Sequence, residues 1–222
     1  MKVIITGVTG MVGEGVLHEC LSHPSVLEVL VVNRKPCGKS HPKLKEIIHN
    51  NFYELSSIED ELKGYDGCFF CLGVTSVGLT EESYSRISYD LTLQVASTLA
   101  RLNPEMVFCY VSGSGTDSSE RGRSMWARVK GRTENHLMWL PFRRAYMFRP
   151  GYLHPTPGLS NGHRYYKWLS PLYYLLRPFL PNQLLTLRQL GLAMIHSVSR
   201  GYPKAILETK DIAYLSKPEG AR

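Results

Sequence analysis

Thr6-Gly7-Val8-Thr9-Gly10-Met11-Val12-Gly13 stands between a β-branched run, Lys2 to Thr6, and a helical pattern, Val12 to Leu21. The three glycines have separate physical tasks. Gly7 permits a tight turn off the strand, Gly10 lets backbone N–H groups approach a pyrophosphate, and Gly13 lets helix and strand pack closely. The helix N-terminus then turns its partial positive charge toward the phosphates. A glycine triplet alone is weak, but one that leaves a strand and opens a helix specifies a dinucleotide-binding loop. Thr9, Met11 and Val12 complete the residues expected to line the pyrophosphate.

Outward from this loop, short β-branched or apolar runs alternate with longer helical patterns. The expected strands are Lys2 to Thr6, Glu28 to Asn33, Glu46 to His49, Gly67 to Leu72, Met106 to Ser112 and Ala145 to Arg149. The expected helices are Val12 to Leu21, Ser56 to Lys63, Glu81 to Arg101 and Ser124 to Leu140. In the third helix, Ile87, Leu91, Val95, Thr98 and Leu102 trace one apolar face. Such alternation implies an α/β, Rossmann-type doubly wound parallel sheet, with ligands beyond the C-terminal strand ends. After Pro150 prolines and glycines punctuate a Tyr-, Trp- and Leu-rich stretch, followed by helical runs around Leu187 to Ser199 and Ile206 to Leu215. One domain is expected over residues 1–222, with a dinucleotide-binding core at 1–150 and a substrate cap with C-terminal helices at 151–222.

The end of the second strand selects between cofactors. A site for NAD(H) places an acidic residue there for the ribose 2′-hydroxyl. This chain has Asn33-Arg34-Lys35, and Arg34 offers a planar fork to a 2′-phosphate. NADP(H) is therefore favoured, with NAD(H) possible.

Composition narrows the partners. Of 222 residues, 43% are hydrophobic and 20% charged, which argues against disorder, collagen and coiled coil. The net charge of +7 is uneven: residues 1–120 carry 9 Lys+Arg against 15 Asp+Glu, and residues 121–222 carry 17 against 4. The basic half contains no nucleic-acid-binding motif, so no nucleic-acid partner is expected. A membrane-surface helix over Trp168 to Leu180 is disfavoured by Pro171 and Pro178. A small-molecule substrate, anionic or planar, is the expected partner. Five cysteines, an odd number, and the lack of a basic-then-apolar leader point to a reduced, cytoplasmic protein. Cys68 and Cys71 have CxxC spacing inside an apolar run and read as buried thiols; no histidine or carboxylate spacing suggests a metal site.

Further motifs sit at the later strand ends. They are Cys71-Leu72-Gly73-Val74-Thr75, Tyr110-Val111-Ser112-Gly113-Ser114-Gly115, Val129-Lys130-Gly131-Arg132-Thr133-Glu134 and Phe148-Arg149-Pro150-Gly151. With the glycine loop, they resemble the short-chain dehydrogenase/reductase superfamily, in its atypical, epimerase-like branch. The set is similar to the Tat-interacting-protein type of NADP-binding oxidoreductase homologue over about residues 1 to 155. That resemblance implies that Leu72, Gly73 and Val74 border the cofactor ribose and pyrophosphate. It implies that Asn51 and Phe52 flank the adenine, and that Pro150, Gly151, Tyr152 and Leu153 border the nicotinamide. Ser112 or Ser114 falls in the region of the catalytic serine, and Ser112, at the strand end, is preferred.

One departure bears on the chemistry. The family's helix carries Tyr-x-x-x-Lys, whose side chains share a face. Here Lys130 is present, but Trp126 stands four residues before it. The resemblance implies that Lys130 holds the nicotinamide ribose, whereas an indole donates a hydrogen bond without exchanging a proton near neutral pH. Ser88 or its neighbours occupy the position where many members have Asn. Tyr84, Tyr89, Tyr110 and Tyr152 are the candidates for a displaced acid. The pattern suits a reductase of flavins or quinones, which take their proton from solvent; Trp126 with Tyr165, Tyr166, Trp168, Tyr173 and Tyr174 would stack the planar ring. It equally suits carbonyl, alcohol or sugar-nucleotide redox chemistry with a displaced acid, or an NADPH-responsive scaffold without turnover.

Overall fold

The computed structural model describes residues 1–159 and 184–220. Strand β1 (Lys2–Thr6) leads through the glycine loop into α1 (Met11–Ser22), followed by β2 (Glu28–Asn33), β3 (Leu44–Ile48) and β4 (Gly67–Phe70). Then come α2 (Glu81–Ser85), a π turn (Arg86–Asp90), α3 (Leu91–Leu102), β5 (Val107–Val111), α4 (Met125–Leu137) and β6 (Arg144–Arg149). The chain continues through β7 (Tyr152–His154), β8 (Leu184–Thr186), α5 (Leu187–Ser199), β9 (Ile206–Glu208) and α6 (Thr209–Leu215). The main sheet has the order β3-β2-β1-β4-β5-β6-β9, and every pairing in it is parallel. β7 and β8 form a separate parallel pair.

Strand residues alternate between two cores. Val3 and Ile5 on β1 face a cluster built with Val16, Leu17, Leu190 and Met194 of α1 and α5. Ile4 between them faces a second cluster with Val95 and Leu99 of α3 and Leu137 of α4. Burial on both faces explains why these strands are apolar throughout. The order reverses between β1 and β4, so the two connections that leave those strands diverge and open a crevice at their C-terminal ends.

The sequence-derived boundaries hold to within one or two residues for most elements, and fail in three places for physical reasons. Ser56 to Lys63, expected as a helix, holds only a 3₁₀ turn at Ser56–Ile58. Leu55, Ile58 and Leu62 are nonetheless buried in the second cluster, so their spacing recorded burial without continuous helix. Glu81 to Arg101 is interrupted by the π turn, whose wider winding rotates the helix face. Ser88 and Thr92 are buried there in place of Ile87 and Leu91. Ile206 to Glu208, expected as the start of a helix, is instead β9, the edge strand of the main sheet beside β6, with Leu207 fully buried. The expected C-terminal helices are present as α5 and α6, and with β9 between them they add a sheet edge and a helix layer to the core.

All five cysteines are free thiols, and burial pushes those of Cys68 and Cys71 up. Among the described residues no group of three or more His, Cys, Asp or Glu is placed to hold a metal ion, and no helix is long and apolar enough to cross a membrane.

Candidate functional site

The crevice begins at the glycine loop. Gly7 adopts φ +75°, a left-handed turn that returns the chain over β1. The Gly10 N–H donates to the Gly7 carbonyl at 3.0 Å, and Gly10 then caps α1 without a side chain. A Cβ on Gly13 would lie 2.3 Å from the Gly7 oxygen, so helix and loop touch backbone to backbone. A Cβ on Gly10 would meet only the Gly7 oxygen, at 3.4 Å. The space beside it, in front of the α1 N–H groups that lack intrahelical acceptors, is open to an anion. Thr9 is exposed, while Met11 and Val12 are half-buried against the core. Gly13→Ala is expected to cost about 1 to 3 kcal/mol, since the loop must move to admit a methyl group; thermal unfolding of the variant measures it.

At the adenosine end, Asn33 is buried and its Nδ2 lies 3.4 Å from Oε1 of Glu46 on β3. Arg34 and Lys35 follow it as exposed cations at the mouth of the crevice. Asn51 is exposed, but Phe52 is only 4% exposed and packs in the second core cluster. Its ring packs inward, edge to face with His49 at 6.2 Å between centroids, and so belongs to the core instead of offering a face to an adenine.

The other end gathers the groups expected to work on a substrate. Lys130 extends from α4 beneath the strand ends and is 8% exposed. Its Nζ donates to the Val111 carbonyl at 3.1 Å and lies 4.8 Å from the centre of the Tyr110 ring. It also lies 4.0 Å from where a Cβ on Gly73 would be, so it reaches the loop after β4, where Leu72 is half-buried and Val74 exposed. No carboxylate comes within ion-pair distance of it among the described residues. Burial pushes the Lys130 ammonium down to about 8, against a partial upward pull from Glu134.

Trp126, one turn earlier on α4, lays its indole against Gly113 and Gly115 at 3.8 to 3.9 Å from the Cβ positions they lack. A flat, half-buried aromatic thus stands beside the β5 end, where the resemblance would place an ionisable phenol. Of the four tyrosines considered, Tyr84 and Tyr110 are buried and held protonated by that burial. Tyr89 is covered by the Arg132 guanidinium, 4.2 Å from its centre. Tyr152 lines a cavity.

That cavity, about 460 Å³, opens past the ends of β5, β6 and β9 and is lined by Ser114, Gly151, Tyr152, Leu184, Glu208, Thr209 and Lys210. Ser112, the preferred serine, points elsewhere. Its hydroxyl donates to Oε1 of Glu134 at 2.5 Å, with the Phe148 carbonyl, at 3.1 Å, as the alternative acceptor. Glu134 is fully buried and clasped by Arg149, which also reaches Glu208 at 3.3 Å and Ser118 at 2.5 Å. Burial alone would lower Arg149, but the two carboxylates outweigh it and raise it. Ser112 therefore belongs to a buried ionic network, and Ser114 is the serine that lines the cavity. Gly151 and Tyr152 reach the cavity; Pro150 is buried, its carbonyl accepting from the Ser114 N–H, and Leu153 packs in the first core cluster. The sequence reading assigned no role to Glu134, Glu208, Thr209 or Lys210, because no local pattern links position 134 to Ser112 or position 208 to Ser114. The aromatic residues Tyr165 to Tyr174 and the segment Trp168 to Leu180 lie outside the described residues.

The NAD dependent epimerase/dehydratase family matches residues 3–121. Leucinostatins biosynthesis cluster protein T of Purpureocillium lilacinum is 31% identical over 170 residues, covering 72% of this chain and 61% of that protein. Protein fmp52, mitochondrial, of Emericella nidulans is 29% identical over 68% of this chain and 66% of its own length. Protein HTATIP2 of Rattus norvegicus is 28% identical over 68% of this chain and 62% of its own length. The chain thus spans less than two thirds of each of these relatives. Among solved structures, MoeE5 in complex with UDP-glucuronic acid and NAD aligns with a TM-score of 0.70 at 17% identity, over 93% of this chain and 75% of that one. The Bordetella bronchiseptica enzyme WbmF in complex with NAD+ aligns with a TM-score of 0.66 at 15% identity, over 97% and 76%. A short chain dehydrogenase/reductase from Saccharomyces cerevisiae aligns at 0.65 and 16% identity, over 96% and 98%. At these identities the likeness to the structures is one of fold.

Proposed function

The chain belongs to the NAD dependent epimerase/dehydratase family, and from that footing we propose that it is an NADP(H)-dependent oxidoreductase working without the usual tyrosine. The observation that carries the reading is the crevice itself: an open backbone cradle at Gly10 faces one end, and the buried Lys130 ammonium stands at the other. Met11, Val12 and Gly13 would present N–H groups to the pyrophosphate, and Lys130 would donate to the nicotinamide ribose hydroxyls. The bound dinucleotide would supply hydride. Trp126 offers a planar face at the strand ends but no exchangeable proton, which suits an acceptor such as a flavin or quinone that takes its proton from water. The cytoplasm, where NADPH is kept reduced, would be a fitting location.

Two observations favour alternatives. Tyr152 lines the cavity, so carbonyl reduction with a displaced phenolic acid is a second enzymatic reading. Ser112 is held by Glu134 and turned from the cavity, which favours an NADPH-responsive protein without turnover. Titration with NADPH and NADH, followed by NADPH oxidation against flavins, quinones and aldehydes, separates the three. Turnover of planar acceptors that survives Tyr152→Phe supports the first, and aldehyde turnover lost in that variant supports the second. Tight binding with no turnover across the panel supports the third. Arg34→Asp is expected to weaken NADPH by about 1 to 3 kcal/mol, through a lost charge-assisted bond and a new repulsion, and to leave NADH nearly unchanged. Unaltered NADPH affinity would remove Arg34 as the 2′-phosphate ligand.

A further inference from the structure

An ion pair behind the glycine loop takes no part in the reading so far. Glu14 lies in the first turn of α1, and its side chain is 1% exposed. Lys39 reaches it from the β2–β3 connection, with Nζ 2.9 Å from Oε1 and 36% of its side chain exposed. A buried carboxylate is costly without a cation beside it, so this contact draws the connection down onto α1. The base of the same connection is fixed separately. Glu46 on β3 accepts from the Cys37 N–H at 2.8 Å and faces Asn33 Nδ2 at 3.4 Å. Gly38, at φ +67°, makes the turn that brings Lys39 round toward the helix. The two exposed cations, Arg34 and Lys35, therefore sit on a segment secured on β3 and on α1.

Cations held in place bind a phosphate better than cations on a loose loop, because the ordering cost is met in folding. We infer that Lys39 is a positioning residue for cofactor choice: by anchoring the β2–β3 connection to Glu14, it holds Arg34 and Lys35 where the 2′-phosphate of NADP(H) would lie. The inference rests on the dinucleotide reading above and adds a residue that lies beyond the Asn33-Arg34-Lys35 turn.

The test is fluorescence titration of the full chain with NADPH and with NADH, for wild type, Lys39→Met, Lys39→Arg and the double variant Lys39→Met with Glu14→Gln. Lys39→Met is expected to lower NADPH affinity about 5- to 20-fold while changing NADH less than about twofold, so that the preference ratio shrinks. Lys39→Arg keeps the ratio, since a guanidinium still pairs with Glu14. The double variant removes the carboxylate charge together with the ammonium, so it stays folded even if Lys39→Met does not, and it shows the same shrunken ratio. Variants that lose both dinucleotides equally, or that keep the wild-type ratio, overturn the inference. A wild type that binds neither dinucleotide overturns the parent reading, and the inference with it.

Discussion

Replacing Glu134 by Leu is expected to remove about 3 to 5 kcal/mol of stability, the usual cost of leaving one member of a buried ion pair without its partner. Glu134 is fully buried and Arg149 is 8% exposed. The guanidinium meets the carboxylate through both Nε, at 3.1 and 3.2 Å, and a terminal nitrogen at 2.5 Å. In the variant, Arg149 keeps Glu208, a half-exposed carboxylate at 3.3 Å, which compensates only in part. Ser112 loses its acceptor as well and retains the Phe148 carbonyl. In a chain of this length each kcal/mol moves Tm by about 2 to 4 °C, so a fall near 10 °C is expected by calorimetry. Adding Arg149→Met should recover most of the loss, because no buried charge then remains. A single variant that melts within about 2 °C of wild type would show that the network is solvated rather than buried.

The second large effect runs in the opposite direction for stability. Lys130→Met is expected to stabilise the fold at neutral pH while weakening dinucleotide binding about tenfold or more, the worth of a hydrogen bond from a charged donor. Burial holds the Lys130 ammonium at about 8, below the 10.5 of a free lysine. Below pH 8 both folded and unfolded chains carry the charge, and the fold bears its full desolvation cost, on the order of 3 kcal/mol for a gap of this size. Between about pH 8 and 10.5 the folded chain sheds the proton first, the unfolded chain binds more protons, and stability rises with pH. The bond to Val111 and the contact with the Tyr110 ring offset part of the cost. A net gain of about 1 to 2 kcal/mol is therefore expected for the variant at pH 7, vanishing by pH 10 to 11. Wild-type dinucleotide affinity should itself fall as pH rises through about 8. Denaturant titrations at pH 7 and 10 check the first claim, and NADPH titrations across the same range check the second. A variant that is less stable at pH 7, or that binds NADPH as wild type does, would show that Lys130 is structural.

Much of this was written locally. The Lys2–Thr6 strand, the glycine loop and α1 follow from a few adjacent residues, because turn, close approach and helix start are each decided within one or two turns of chain. The resemblance to Tat-interacting-protein homologues rested on short motifs at successive strand ends, and Protein HTATIP2 is among the relatives. Alternating apolar runs likewise announced a doubly wound parallel sheet, since a strand covered on both faces has no polar side to show. Local spacing also carried the substitution at Trp126, because the i and i+4 positions of a helix share a face in any tertiary setting.

What only the tertiary structure decided are the directions and partners of side chains. Ser112 and Ser114 are indistinguishable as letters, yet one donates its hydroxyl to Glu134 and the other is the serine that lines the cavity. Arg149 unites positions 134, 118 and 208, and Lys39 finds Glu14 across the end of β2. The strand Ile206–Glu208 was invisible because three residues carry no readable period, and it exists through its ladder with Met147 to Arg149. The physical reason is common to all of these. Backbone period and turn chemistry are properties of neighbours along the chain, whereas the pairing of a buried charge or hydroxyl is settled by whichever groups the closed sheet brings within 3 Å of it.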